Sequence, residues 1–460
     1  MGFDWTYKKL NNFSGNIRYN YFRFKGDGTT DQNLQPDKGG NAPSVLSRIN
    51  AGNQYLYHSV EGSLNYKRTF AKEDQELEAS ISLDNGHNYG RSYSEQFSFP
   101  EDSLNYGTKA FNPATTMETV VAVDYTQPLL KDFKLGIGTK GTFFNIDNTA
   151  DVSSYQSTTN SYVPNSYLSN DLIYKQKVYA GYAEVSFPVA KILDAKIGGR
   201  YERTEIDAYY SKAGNVNVPG YNTFVPSIFL SKKIGESQTV KLSFSKRIQR
   251  PDYDDLNPFV NTTDPKNLST GNPYLKPEIG YRYELGYSRE LGKAGSIMIN
   301  LFYRINENDI QPYVVYYPSY NVGDSVYSNV SVNTSTNIGR EDNAGLNLFG
   351  DVKITSKLNV RSNVFLFHRH IINEVDRGYN SNSFNYRFNM NASYQFTNSL
   401  VAEFFGNFNS PRNEAQGRYP SFTSYTMAVR KQFWQKKGSV ALTATNLFSE
   451  KLTQDRKSVV

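Results

Sequence analysis

Residues 243–287 read SFSKRIQRPDYDDLNPFVNTTDPKNLSTGNPYLKPEIGYRYELGY. Into this stretch runs an alternating segment in which Val240, Leu242 and Phe244 face one way and Lys241, Ser243 and Ser245 the other. A period of two is the mark of a half-buried strand. About thirty residues dense in Pro, Asn, Asp, Gly and Thr follow, which block helix and ladder alike and predict a long ordered loop. Beyond Pro277 the strand resumes, with Tyr281, Tyr283, Leu285 and Tyr287 on one face and Arg282, Glu284, Gly286 and Ser288 on the other.

The rest of the chain repeats this plan. Alternating segments begin near residues 13–24, where Ile17, Tyr19 and Tyr21 oppose Arg18 and Asn20, and end near residues 440–448. Between them short turns and long loops take strict turns. The long ones are expected at residues 85–117, 145–175, 211–222, 249–278, 310–342, 371–382 and 410–420. A soluble sandwich has no reason to keep its long loops on one side, whereas an outer-membrane barrel has short periplasmic turns and long extracellular loops. The cleanest segment sets Phe384, Tyr386, Phe388 and Met390 against Asn385, Arg387, Asn389 and Asn391. Its aromatic face is assigned to lipid, because the reverse would put Arg387 into hydrocarbon at a cost of roughly 2–4 kcal/mol near the midplane. About seventeen such strands are expected, each long enough for the 9 to 11 residues of a tilted crossing.

Composition agrees. The 460 residues hold 36 Tyr and 29 Phe within a hydrophobic share of only 38%, so the mean hydropathy is polar. A barrel averages out in this way, since lipid-facing and lumen-facing residues alternate and aromatics gather at both interfaces. No run approaches the ~18 apolar residues of a spanning helix. With no Cys, disulfides and thiolate metal sites are excluded. The net charge of +6 is spread without a dense basic block, which argues against nucleic acid as a partner.

The wording of the opening stretch is also familiar. Arg250-Pro251, Leu256-Asn257-Pro258 and Gly271-Asn272-Pro273-Tyr274-Leu275-Lys276-Pro277-Glu278 resemble the barrel of TonB-dependent outer-membrane receptors, and Asn409-Ser410-Pro411, Gln416-Gly417, Arg430-Lys431 and Asn446-Leu447-Phe448 resemble its last part. The resemblance implies a bacterial outer-membrane receptor that takes up a scarce, bulky ligand: a siderophore, cobalamin, an oligosaccharide or a peptide. It implies as partners the outer-membrane lipid and a TonB energy complex reached through an N-terminal plug, and it leaves room for a surface lipoprotein. The alternative is a binding or adhesion barrel, or a passive one, without energy coupling. Enzymatic chemistry, cofactors and metals are not expected, as no nucleophile–base arrangement stands out.

Family barrels have about 22 strands. The expected fold is therefore an all-β, antiparallel transmembrane barrel that is incomplete, with residues 1–454 forming part of it and plug and signal peptide missing. Two ascending strands, at residues 13–24 and 440–448, are expected to leave an unclosed seam. Residues 455–460, Asp-Arg-Lys-Ser-Val-Val, look like a translated sequencing adapter and are expected to be non-native.

Arg247, Arg250, Asp252, Tyr253 and Asp254 cluster where a polar ligand would first meet the lumen. Against ligand contact stands a loop-shaping role, to which Pro251, Asn257, Pro258, Gly271, Asn272, Pro273, Leu275, Lys276, Pro277 and Glu278 are assigned. His368 and His370, at i and i+2, have the spacing to share a metal, but no third ligand is near in sequence, so a girdle or lumen role is preferred.

Overall fold

The computed structural model describes residues 1–34, 45–98, 102–190, 192–212, 214–262, 266–322, 325–376 and 379–448. The tail 455–460 lies outside them. The first half of the chain forms β1 (Gly2–Tyr7), β2 (Asn11–Leu34), β3 (Val45–Thr69), β4 (Glu76–Ser98), β5 (Ser103–Leu130), β6 (Phe133–Gln156), β7 (Ser161–Pro164), β8 (Asn170–Val189), β9 (Leu193–Tyr210) and β10 (Gly214–Ile234). Then come β11 (Gln238–Gln249), the single helical turn α1 (Tyr253–Leu256), β12 (Asn267–Ser269), β13 (Glu278–Glu290), β14 (Gly295–Val322), β15 (Ser325–Lys353) and β16 (Leu358–Asn373). The last are β17 (Ser381–Thr397), β18 (Leu400–Asn409), β19 (Arg412–Glu414), β20 (Gly417–Tyr419), β21 (Phe422–Phe433) and β22 (Gly438–Thr445).

Seventeen of these strands have eight residues or more, and each pairs antiparallel with the next of them around one sheet. The outer ends carry short additions, β7 beside β6 and β12 parallel to β15. Residues paired across a ladder share a face, so the register fixes inside and outside for the whole wall. Arg387 pairs with Phe365, and Phe365 with Asn347, which puts all three in the lumen. The opposite face carries Phe384, Tyr386, Leu301, Ile81, Leu83, Val121 and Val123, all exposed. Inside, carboxylates and cations neutralise one another along the wall, as in Arg361–Asp351 at 2.5 Å, Lys196–Glu184 at 2.7 Å and Arg430–Glu403 at 2.8 Å.

Three expectations need correction. Residues 85–117 and 310–342 are not open loops: β4 and β5 remain paired up to Ser98 and Ser103, and β14 and β15 up to Val322 and Ser325. Most of 145–175 and 211–222 is likewise paired strand, in β6, β7, β8 and β10. Above the membrane the outward face of a hairpin meets water while parts of the inner face pack on the loops, as at Ile146, Leu172, Val330 and Val332, so main-chain pairing continues where the clean apolar alternation that reveals it has stopped. The first strand, placed at 13–24, spans Asn11–Leu34 and is preceded by β1. The edge opposite β22 is therefore β1, which runs antiparallel to β2, so the argument from two parallel edges fails. Openness itself stands: no ladder joins β1 or β2 to β22 among the described residues, and β1 covers only Asn11–Asn16 of β2.

Candidate ligand vestibule

Arg250 fixes the root of the long loop after β11. Its guanidinium donates to Thr204 Oγ1 at 3.0 and 3.1 Å and to Glu202, which also accepts from Arg200 Nε at 2.5 Å. Pro251, buried next to it, cannot continue the ladder, and the chain turns inward. Helical turn α1 then delivers Leu256, 1% exposed, into an apolar cluster with Leu275 and the inner faces of β6, β8 and β9: Ile146, Leu172, Tyr174, Ile206 and Tyr210. The loop thus lines the mouth of the barrel as an inner layer.

Its two Asn-Pro turns are built alike and lie back to back. Asn257 Oδ1 accepts from the Phe259 amide and Asn272 Oδ1 from the Tyr274 amide, each at 3.0 Å. The Gly271 amide donates to Asn257 O at 2.7 Å and the Asn272 amide to Asp255 O at 2.5 Å. A Cβ on Gly271 would stand 2.6 Å from the backbone of Asn257 and Asp255, so this contact requires glycine. Farther on, the Asn337 side chain accepts from the Lys276 amide and donates to Lys276 O and Asn308 O, while Glu278 Oε1 accepts from the Ile310 amide at 2.6 Å.

The segment after β18 folds inward too. Gln416 bonds both backbone groups of Val314, at 2.6 and 2.9 Å, and Ala415 packs on Ile338 and Ile371. Arg369, 7% exposed, ties this hairpin to the wall through Glu341 at 2.5 Å, Glu414 at 3.2 Å and Asn413 O at 2.5 Å. Both inward segments meet β14 and β15 above a bulge, where Asn308 (φ 56°) and Gly339 (φ 132°) bend the hairpin.

Of the mouth residues expected from sequence, Arg250 is committed to Glu202, and Tyr253 packs 6.3 Å from the Tyr174 ring. Asp252 and Asp254 are exposed, as is Arg247, which has no ion-pair partner among the described residues, pairs with Gly280 across the ladder and shares the lumen face with the Arg282–Arg304 row below it. Pro258 and Pro273 complete the twin turns, Pro277 precedes β13, and the Lys276 side chain is exposed. His368 and His370 point outward near the outer rim, where His370 Nδ1 lies 2.6 Å from Asn382 Oδ1; no metal-sized grouping of three ligands occurs among the described residues. Sequence reading missed Glu202, Glu341, Arg369 and Glu414, because the pairs that engage them, Arg250–Glu202, Arg369–Glu341 and Arg369–Glu414, join positions 28 to 48 apart, and it missed Asp309, whose burial leaves no local mark.

Asp309 lies in the bulge, outside the membrane-spanning part of β14, and is 6% exposed. Loss of water, then the nearby Glu341 and Glu278, push its carboxyl up to about 7 against the opposing effects of Gln311 and Arg369. A raised acid stabilises the fold fully below the ordinary carboxylate range and loses that contribution as pH climbs through about 7. Exchange of the Ala415 amide, which Gln311 holds at 3.2 Å, is therefore expected to quicken between about pH 6 and about pH 8 beyond intrinsic base catalysis. Asp309→Asn should remove that excess. Equal corrected rates in the wild type at the two pH values would refute the effect.

Residues 68–458 match the outer membrane protein beta-barrel family, and the chain belongs to that family. It is a multi-pass outer-membrane protein. Among solved structures it is similar to the copper transporter OprC (TM-score 0.60, 14% identity, 97% of this chain and 71% of that one). It is also similar to BauA, the ferric preacinetobactin receptor of Acinetobacter baumannii (0.56, 10%, 99% and 75%), and to the alcaligin outer-membrane receptor FauA of Bordetella pertussis (0.51, 16%, 97% and 70%). At these identities the likeness is one of fold, that of the TonB-dependent receptor barrels which the Asn-Pro motifs resembled. No curated protein matches the chain in sequence.

Proposed function

We propose that this chain forms the wall and outer vestibule of a receptor that captures a scarce, bulky ligand and passes it inward with energy from a TonB-type complex, acting through a plug in the lumen. The observation that carries this reading is the inward-folded loop between β11 and β13. In a passive pore such a layer would only narrow the channel, whereas in a receptor it makes a shaped surface held on a rigid scaffold. Arg247, Asp252 and Asp254 are the candidate contacts, and the loop-shaping residues hold them in place. The structures similar in fold are named for copper, for ferric preacinetobactin and for alcaligin, which favours a metal-bearing small ligand as the first class to test.

The test is uptake by cells producing the full-length receptor, with a ferric hydroxamate, cyanocobalamin and maltoheptaose as probes. One probe should accumulate, and a protonophore should stop it. Gly271→Val, which forces the twin turns apart, should lower uptake per folded receptor by about tenfold, equivalent to ~1.4 kcal/mol. Unchanged uptake would reduce the loop to scaffolding, and uptake indifferent to the protonophore would favour a passive barrel.

A further inference from the structure

On the outside of the wall, a groove of about 400 Å³ crosses β2 to β6. The ladders place Lys25, Arg91 and Phe111 in one outward row, and Tyr93 and Lys109 in the row above it. Gly52 lies between, and a Cβ there would come within 2.4 Å of the Tyr93 ring, so glycine lets that ring lie against the wall. The height is decisive. Below on the same face stand Leu77, Ile81 and Leu83 of β4 and Val121 and Val123 of β5, capped by the exposed Tyr89. Arg91 is the next outward residue after Tyr89, immediately above the lipid-facing band and its girdle.

Three cations meet three carboxylates there, and among the described residues only two of the pairs close. Asp27 is taken by Lys25 at 3.2 Å and by the Tyr93 hydroxyl at 3.3 Å. Lys109 sits 3.8 Å from Glu95 and 3.8 Å above the Tyr162 ring. Arg91 lies 5.2 Å over the Phe111 ring and has no carboxylate partner among the described residues, while Asp151 lies at the far end beyond Phe111. A planar guanidinium with its donors free is suited to a phosphate, which it can bind bidentately, and the aromatic floor suits the sugar or glycerol carrying it.

We propose that this groove seats the phosphate-bearing headgroup of an outer-leaflet lipid. The lipid then fastens the receptor at its outer rim, on the side of the wall away from the vestibule. Native mass spectrometry of the full-length protein in detergent, with bisphosphorylated lipid A as the probe, tests it. Arg91→Ala combined with Lys109→Ala should weaken binding about tenfold. Lys175→Ala combined with Lys177→Ala, outward cations of β8, should leave it unchanged. The milder Arg91→Gln should weaken it in the same direction. Equal binding of dephosphorylated lipid A, or displacement by millimolar inorganic phosphate, would overturn the assignment. So would an equal loss in the β8 control, which would mean a diffuse cationic rim and no seat.

Discussion

Arg369→Ala is expected to release the hairpin of β19 and β20 from the barrel mouth while leaving the wall intact. The substitution deletes one cation and strands Glu341, whose side chain is only 12% exposed, while Glu414, 19% exposed, keeps only Arg412 at 2.6 Å. Breaking a buried pair from one side costs about 3–5 kcal/mol, because the remaining charge stays desolvated. The loss should fall on the hairpin, since the β15–β16 ladder from Gly339 to Lys353 does not depend on that side chain. Limited proteolysis should then cut within residues 410–421 far faster than in the wild type. Arg369→Met with Glu341→Gln and Glu414→Gln removes the stranded charges and should recover much of the protection. If Arg369→Ala leaves cleavage unchanged, the triad does not hold the hairpin.

The second large effect concerns the two faces of the wall. Ile81 is 45% exposed on the lipid side of β4, five residues above its start, whereas Ser82 pairs with Ser63 and Val120 on the lumen side. In the full-length protein folded into vesicles, Ile81→Arg should cost about 2–4 kcal/mol, the expense of a cation near the midplane. Ser82→Arg should cost well under half of that. Urea unfolding from the vesicles reads both values. The reverse order would exchange inside and outside for every strand, because the register links them all.

The membrane-crossing part of the wall was legible in the sequence, as the run from Phe384 to Phe396 illustrates: one face must be apolar, so chemistry and geometry share a period of two. The upper halves of β14 and β15 were not. Tyr316 and Val326 stand in water while Val330 and Val332 pack on Leu268, so apolar residues fall on both faces and pairing there leaves no clean alternation. The short β1 escaped for a related reason, since Phe3, Trp5 and Tyr7 alternate over too few residues to stand out. At the mouth, the motif residues announced a shaped loop, and the packing of Leu256, Gly271 and Leu275 gives that shape a physical cause. The ion pairs were hidden, because Arg250 and Glu202 are 48 positions apart and nothing local in either segment points to the other.

The wall and the mouth are fastened by different devices. Neighbouring wall strands hold one another through continuous ladders, whereas the inward segments add to their packing around Leu256, Leu268 and Ala415 a set of single side-chain bonds to the wall: Gln416 on Val314, Asn337 on Lys276 and Asn308, Asn272 on Ser335. Unzipping a ladder exposes a row of backbone groups at once, but an amide latch of two or three bonds lets go by a side-chain rotation. The two layers therefore keep different clocks. Latches of this size open and re-form on the nanosecond-to-microsecond scale of loop motion, while the ladders last about as long as the fold itself. Molecules arriving from outside would meet an entrance already moving among its shapes, set in a frame that stays still.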